Sequence, residues 1–133
     1  MLDASVALKW FAEDEPHTSA ALQVLESVGR NPEQYIVPEI FMAECLAILC
    51  RMRGASVDRV REALALMESL GIERAGLGHE LLQRAAEYAI SWSLSRYDAI
   101  YIALAALTDG VWLTADARAA RRIREKRFVR LLV

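Results

Sequence analysis

Short β-type runs recur through the sequence, each separated from the next by longer stretches of helical periodicity. Tyr35-Ile36-Val37, Val111 to Thr114 and Phe128 to Val133 read as strands, and Ile72-Glu73-Arg74 as a weaker one. Helical patterns span roughly 5–12, 17–29, 39–53, 57–70, 79–94, 98–108 and 116–126. Pro38 suits the first turn of its helix, and Gly54, Gly71 and Gly110 stand where helices should stop. Strands that alternate with helices of this length pair in parallel, with helices on both faces. The expected class is therefore α/β. In such open sheets, ligands sit beyond the carboxyl ends of the strands.

A chain of 133 residues is expected to form a single domain over 1–133. No repeat, low-complexity tract or Pro/Gly/Ser-rich linker divides it. Its longest apolar run, Ala99 to Leu107, has nine residues, against about 20 for a membrane span. Nothing at the start resembles a secretory signal, so the expected setting is cytoplasmic, with no membrane partner. The two cysteines, Cys45 and Cys50, fall in one helical stretch about 140° apart, so they should not bridge each other. Both are expected to be buried thiols.

The net charge of −2 does not by itself mark a nucleic-acid binder, but the charge is unevenly spread. Residues 117–133 hold seven basic groups against Glu125, a net +6, while residues 1–116 hold 9 basic and 17 acidic groups, a net −8.

Several familiar chemistries have no foothold. Gly76-Leu77-Gly78 begins a dinucleotide fingerprint, but Leu81 stands where the third Gly belongs. There is no phosphate-binding loop and no Gly-x-Ser-x-Gly elbow. The two histidines, His17 and His79, lie in polar helix starts without ligand spacing and read as surface residues. A nucleophilic Ser or Cys would lack a base.

Carboxylates carry the signal. Asp3 and Asp116 each follow a β-type run and precede a helical pattern, and Asp98 opens the apolar helix Ala99 to Leu107. Helix capping would explain each of these three alone. Glu44 is harder to explain in that way. Ile40, Phe41, Ala47 and Ile48 lie three or four residues from it, so it falls on or beside the buried stripe of its helix. An ionised carboxylate there needs a partner, and neither Arg51 nor Arg53 has the spacing to supply one. Four acids converging on one cleft would need a cation. An all-oxygen set favours Mg²⁺ or Mn²⁺ over zinc, and such an ion suits reactions at phosphate.

At this point a resemblance becomes specific. Asp3-Ala4-Ser5-Val6-Ala7-Leu8-Lys9-Trp10-Phe11 resembles the opening of PIN-domain ribonucleases, particularly VapC-type toxins of toxin–antitoxin pairs. Pro38-Glu39 followed by Glu44, then Tyr97-Asp98-Ala99-Ile100-Tyr101-Ile102-Ala103-Leu104-Ala105, then Leu113-Thr114-Ala115-Asp116, resemble its later acidic segments in family order and spacing. The resemblance implies a three-layer α/β/α sandwich around a parallel sheet. It implies a site where Asp3, Glu44, Asp98 and Asp116 hold one or two Mg²⁺ or Mn²⁺ ions, with Ser5 and Thr114 behind them or positioning substrate. It also implies an RNA substrate, a homodimer and a cognate antitoxin protein. Glu39 reads as a first-turn helix carboxylate and not as a ligand. Only Met1 and Leu2 precede Asp3, so the strand that carries it is expected to be short.

Other readings remain open at the sequence level. An aspartyl phosphatase would commonly have a second Asp where Ser5 stands. A PIN fold kept for binding RNA or protein without catalysis, or a housekeeping nuclease without an antitoxin, would share the same segments. Arg118, Arg121 and Arg122 have helical spacing on one face beyond Asp116, as solvated surface or as contacts to an RNA backbone.

Overall fold

The structure is a computed structural model and describes residues 1–13 and 15–133. Its regular strands are β1 (Ile36–Pro38), β2 (Glu73–Ala75), β3 (Trp112–Thr114) and β4 (Val129–Leu131). β1 pairs in parallel with β2, Ile36 opposite Glu73, and β3 pairs in parallel with β4, Trp112 opposite Val129. The chain start joins the two pairs. Leu2 N–H donates to the Ile36 carbonyl at 3.2 Å, while Leu113 N–H donates to the Met1 carbonyl at 2.9 Å. Asp3 N–H then donates to the Leu113 carbonyl at 3.0 Å. The spatial order is thus β2, β1, residues 1–3, β3, β4. Residues 1–3 lie centrally in this order, with Leu2 fully buried.

The helices are α1 (Ala4–Ala7), α2 (Thr18–Arg30), α3 (Ile40–Leu49), α4 (Val57–Ser69), α5 (His79–Trp92), α6 (Arg96–Leu107) and α7 (Ala117–Arg122). α1 runs on into a 3₁₀ turn, Leu8–Trp10. Right-handed crossovers send α1–α4 to one face while the chain steps outward to β2. The return to β3 and then β4 sends α5–α7 to the other face. This is the expected α/β layering, and the strand order reverses beside residues 1–3, where a doubly wound sheet opens its crevice.

The core is densest around α6, which is apolar on every side and has every residue from Ala99 to Ala105 buried. Tyr101 stacks on Trp112 of β3, with ring centroids 5.8 Å apart and planes 14° apart. Val60, Ala63, Leu64 and Met67 of α4 turn inward, Ala63 and Met67 being fully covered. Gly54 and Gly71 take positive φ (76° and 69°) after helices, the conformation that favours glycine.

Three local expectations are corrected. Pro38 ends β1 and does not begin a helix. The Glu39 N–H donates to the Ala75 carbonyl at 2.9 Å, which keeps the chain in the ladder for one more residue and delays α3 to Ile40. The last helix stops at Arg122 instead of near 126. Ile123 turns extended (φ −67°, ψ 121°) and buries itself completely, while Lys126 Nζ donates to the Ala120 and Arg121 carbonyls. Cys45 is buried, but Cys50 is exposed, one residue beyond the covered stripe Phe41, Cys45, Leu49. Among the described residues, no helix is long and apolar enough to cross a membrane.

Candidate active site

Asp3 and Thr114 are both buried, and they touch. They end neighbouring strands, so both point into the crevice at the reversal of strand order. Thr114 Oγ1 donates to Asp3 Oδ2 at 2.6 Å and accepts from the Asp116 N–H at 3.1 Å. Ser5, in the first turn of α1, donates to the same Asp3 oxygen and accepts from the Ala115 N–H at 2.9 Å. The two hydroxyls therefore tie the end of the first strand to the turn leaving β3. Burial pushes the Asp3 carboxyl above its ordinary range; the two hydroxyls oppose that rise and the Asp98 charge adds to it.

Asp116 is the N-cap of α7. Its Oδ1 accepts from the Arg118 and Ala119 N–H groups at 2.8 and 3.0 Å, so the capping explanation holds for this residue and one oxygen is committed. Asp98 is different. Ser95 caps α6 by accepting from the Asp98 N–H at 3.2 Å, which places Asp98 in the first turn. Burial raises its carboxyl and Asp116 raises it further, against the pull of Ser95 and Arg122. Asp3 is positioned as the N-cap of α1, but its side chain makes no capping bond.

Glu44 reaches the same region from α3, half-buried beside Phe41 and Cys45. Burial pushes its carboxyl up to about 7; the Tyr101 hydroxyl moderates the rise, and the Asp3 and Asp98 charges add to it. The hydroxyl lies toward the carboxyl without reaching a formed hydrogen bond. Glu44 Oε1 and Tyr101 Oη are both buried and unpartnered among the described residues.

The four acids thus form an electrostatic chain, Glu44 to Asp3 and Asp98, and Asp98 to Asp116. As their side chains lie, no three acidic, His or Cys groups among the described residues close on a single point that would hold an ion. The donor set still suits one. It is all oxygen and mutually repulsive, each of Asp3, Glu44 and Asp98 being raised by a neighbouring carboxylate, which is what a hard divalent cation relieves.

Sequence reasoning missed one contributor and read another only as a surface or RNA-backbone arginine. Tyr101 lies three residues after Asp98, a spacing that puts both on one side of α6 and could have flagged it. Arg122 Nη1 donates to the Ser93 carbonyl at 2.8 Å, so this arginine is engaged at the α5–α6 corner beside Asp98. Only folding brings that corner to α7. Arg118 and Arg121 are exposed, as are Glu39, His17 and His79. Two clefts lie elsewhere. One of about 410 Å³ is lined by Phe11, Leu49, Met52 and Val60, and another of about 580 Å³ by Met1, Tyr35, Glu73 and Arg130. Neither includes any of the four acids, which run from buried Asp3 through half-buried Glu44 and Asp98 to exposed Asp116 and so form a rim between core and surface.

None of the curated proteins compared with the chain matches it. The family model described as the PIN domain matches residues 1–126, nearly the whole chain, including all four acids and the Ser5–Thr114 bridge. The chain belongs to the PIN domain family.

Proposed function

We propose that this protein is a metal-dependent endoribonuclease of the VapC type, the toxin of a toxin–antitoxin pair, acting as a single nuclease domain. PIN domains are in general metal-dependent nucleases, so a nuclease acting on nucleic acid follows from the family. The finer reading is supported chiefly by one observation: Asp3, held by Ser5 and Thr114, stands at the reversal of strand order within the fields of Glu44 and Asp98.

In this reading Asp3, Glu44, Asp98 and Asp116 hold one or two Mg²⁺ or Mn²⁺ ions. Bound there, the ion would lower the pKa of a water and offset charge on the scissile phosphate. Ser5 and Thr114 fix the Asp3 carboxylate, so it needs little reorganisation. Asp116 keeps one oxygen on the α7 cap and has the other to offer. Asp98 or Asp116 orients the attacking water. Its oxygen bonds to phosphorus in line, the P–O3′ bond breaks, and the proton passes to the leaving oxygen. The products carry a 5′-phosphate and a 3′-hydroxyl.

The test is Asp98→Asn, which keeps the shape and removes the charge. Divalent-ion binding and RNA cleavage should fall together while the fold survives. Wild-type cleavage by this variant at saturating Mg²⁺ would sink the assignment. A wild-type protein that binds RNA but does not cut it with either ion would be a binding module instead. An antitoxin gene beside this one would separate a toxin from a housekeeping nuclease. The homodimer belongs to the same reading, and light scattering that shows a monomer throughout the micromolar range would count against it.

A further inference from the structure

Glu44 comes from α3 and Tyr101 from α6, and the fold turns the Tyr101 hydroxyl toward the Glu44 carboxyl. Glu44 Oε1 and Tyr101 Oη are both buried, and neither has a hydrogen-bond partner among the described residues. Unpaired buried polar atoms are rare in folded proteins, and each calls for a reason. Here the donor and the acceptor stand next to each other.

The tyrosine has little freedom. It is 1% exposed, sits within the buried stretch Ala99–Ala105, and stacks on Trp112, so its hydroxyl cannot swing out to water. Burial, with the Asp3 and Glu44 charges, keeps the phenol protonated, which makes it a donor and not a ligand. Glu44 is the mobile member of the pair. Its longer side chain has more rotamers to lose, and a ligand carboxylate must be held in one of them. Asp3 has Ser5 and Thr114 for that purpose, and Asp116 has the α7 backbone. Tyr101 is the hydroxyl that faces Glu44.

We propose that Tyr101 is a positioning residue for the metal site: its hydroxyl donates to Glu44 Oε1 and leaves the other carboxylate oxygen for the cation. The inference rests on the reading of Glu44 as a metal ligand. Carboxylate ligands are commonly oriented by such partners, whose loss costs roughly 10–100-fold in metal affinity.

The experiment is Mn²⁺ binding, followed by water-proton relaxation in the absence of RNA. It compares wild type, Tyr101→Phe, Glu44→Gln and the double variant, with a metal-free denaturation midpoint for each. Tyr101→Phe removes one oxygen atom that is unpartnered without metal. It should weaken Mn²⁺ about tenfold and leave the metal-free midpoint unchanged. The double variant should bind no more weakly than Glu44→Gln. Unchanged Mn²⁺ affinity in Tyr101→Phe, with Glu44→Gln weakened, would overturn the proposal. So would additive losses in the double variant, since Tyr101 would then act independently of Glu44. A lowered midpoint or failure to fold would make the hydroxyl structural and also overturn it. Wild-type Mn²⁺ affinity in Glu44→Gln would instead remove the ligand reading beneath it, a separate and recognisable result.

Discussion

At neutral pH the ion-free Glu44 carboxyl is divided between its two forms, because burial and two neighbouring carboxylates lift it from 4.5 to about 7. The folded protein therefore binds this proton more tightly than the unfolded chain does. The stability this provides is fully present below about pH 4.5 and is lost as pH rises through about 7. Metal-free protein should thus show a denaturation midpoint that falls between pH 5 and 8. Glu44→Gln should flatten that slope, and an equally steep profile in the variant would contradict the assignment. The same crowding makes Asp98 sensitive to substitution. Partners behind a metal ligand are worth roughly 10–100-fold in affinity or activity, so Asp98→Asn should cost RNA cleavage more than about a hundredfold. Initial rates over an Mg²⁺ titration would measure it.

Elements matter here mainly through their ends. The first strand, β3, α6 and α7 each bring one polar terminus to the same rim, and the Ser5 and Thr114 hydroxyls hold those of the first strand, β3 and α7 together. Thr114 is completely buried and serves both Asp3 and the Asp116 N–H. Thr114→Val keeps the volume but leaves a buried carboxyl short of a donor and a backbone N–H unpaired. The expected loss is about 1–3 kcal/mol in urea denaturation. Ser95 has a milder role as the cap of α6, and Ser95→Ala should cost about 1 kcal/mol. Because the cap bonds the Asp98 N–H itself, that variant should also weaken Mn²⁺ binding, which a cap distant from the site would not do. Ser56→Ala on α4 is the control, since it removes an equivalent cap far along the sequence from the four acids.

For the molecule as a whole, the difficulty is an acidic rim that must accept a polyanion. Cations can neutralise the rim, but the strand on either side still needs positive charge, and the basic segment after Asp116 is the nearest in sequence. Arg122 is committed to the Ser93 carbonyl, whereas Arg118 and Arg121 project from α7 into solvent. We expect Arg118→Gln with Arg121→Gln to weaken RNA binding across sequences. The logarithmic salt dependence should flatten by roughly 0.7 for each single-strand phosphate that the arginines no longer neutralise. Measured on an Asp98→Asn background, an unchanged slope would show that the RNA path lies elsewhere. Mn²⁺ affinity should be unaffected, since the only carboxylate contact of either arginine among the described residues is the Arg118 backbone N–H on Asp116, which glutamine keeps.

The sequence by itself determined the α/β class, because runs such as Val111 to Thr114 alternate with helical periodicity and need no distant contact to be recognised. It also singled out Asp3, Glu44, Asp98 and Asp116 as candidates: Glu44, beside a buried stripe, conflicts with its local surroundings, and the other three, each explicable as a cap, stand out by their order and spacing within the resemblance. Boundaries were less legible. Pro38 belongs to β1 because Ala75 offers its carbonyl to the Glu39 N–H, and α7 ends early because Ile123 finds a buried place across the fold. Those are competitions between local preference and distant partners, which no local pattern encodes. The same holds for the links that build the rim. The hydrogen bond of Thr114 to Asp3 spans 111 residues, and the bond of Arg122 to Ser93 spans 29. Tyr101 reads as one more apolar position in a core helix, and only the folded arrangement of α3 and α6 sets its hydroxyl toward Glu44. Residue chemistry is local and can be read from the sequence. Which residues meet depends on the sheet order, and the tertiary structure alone decided that.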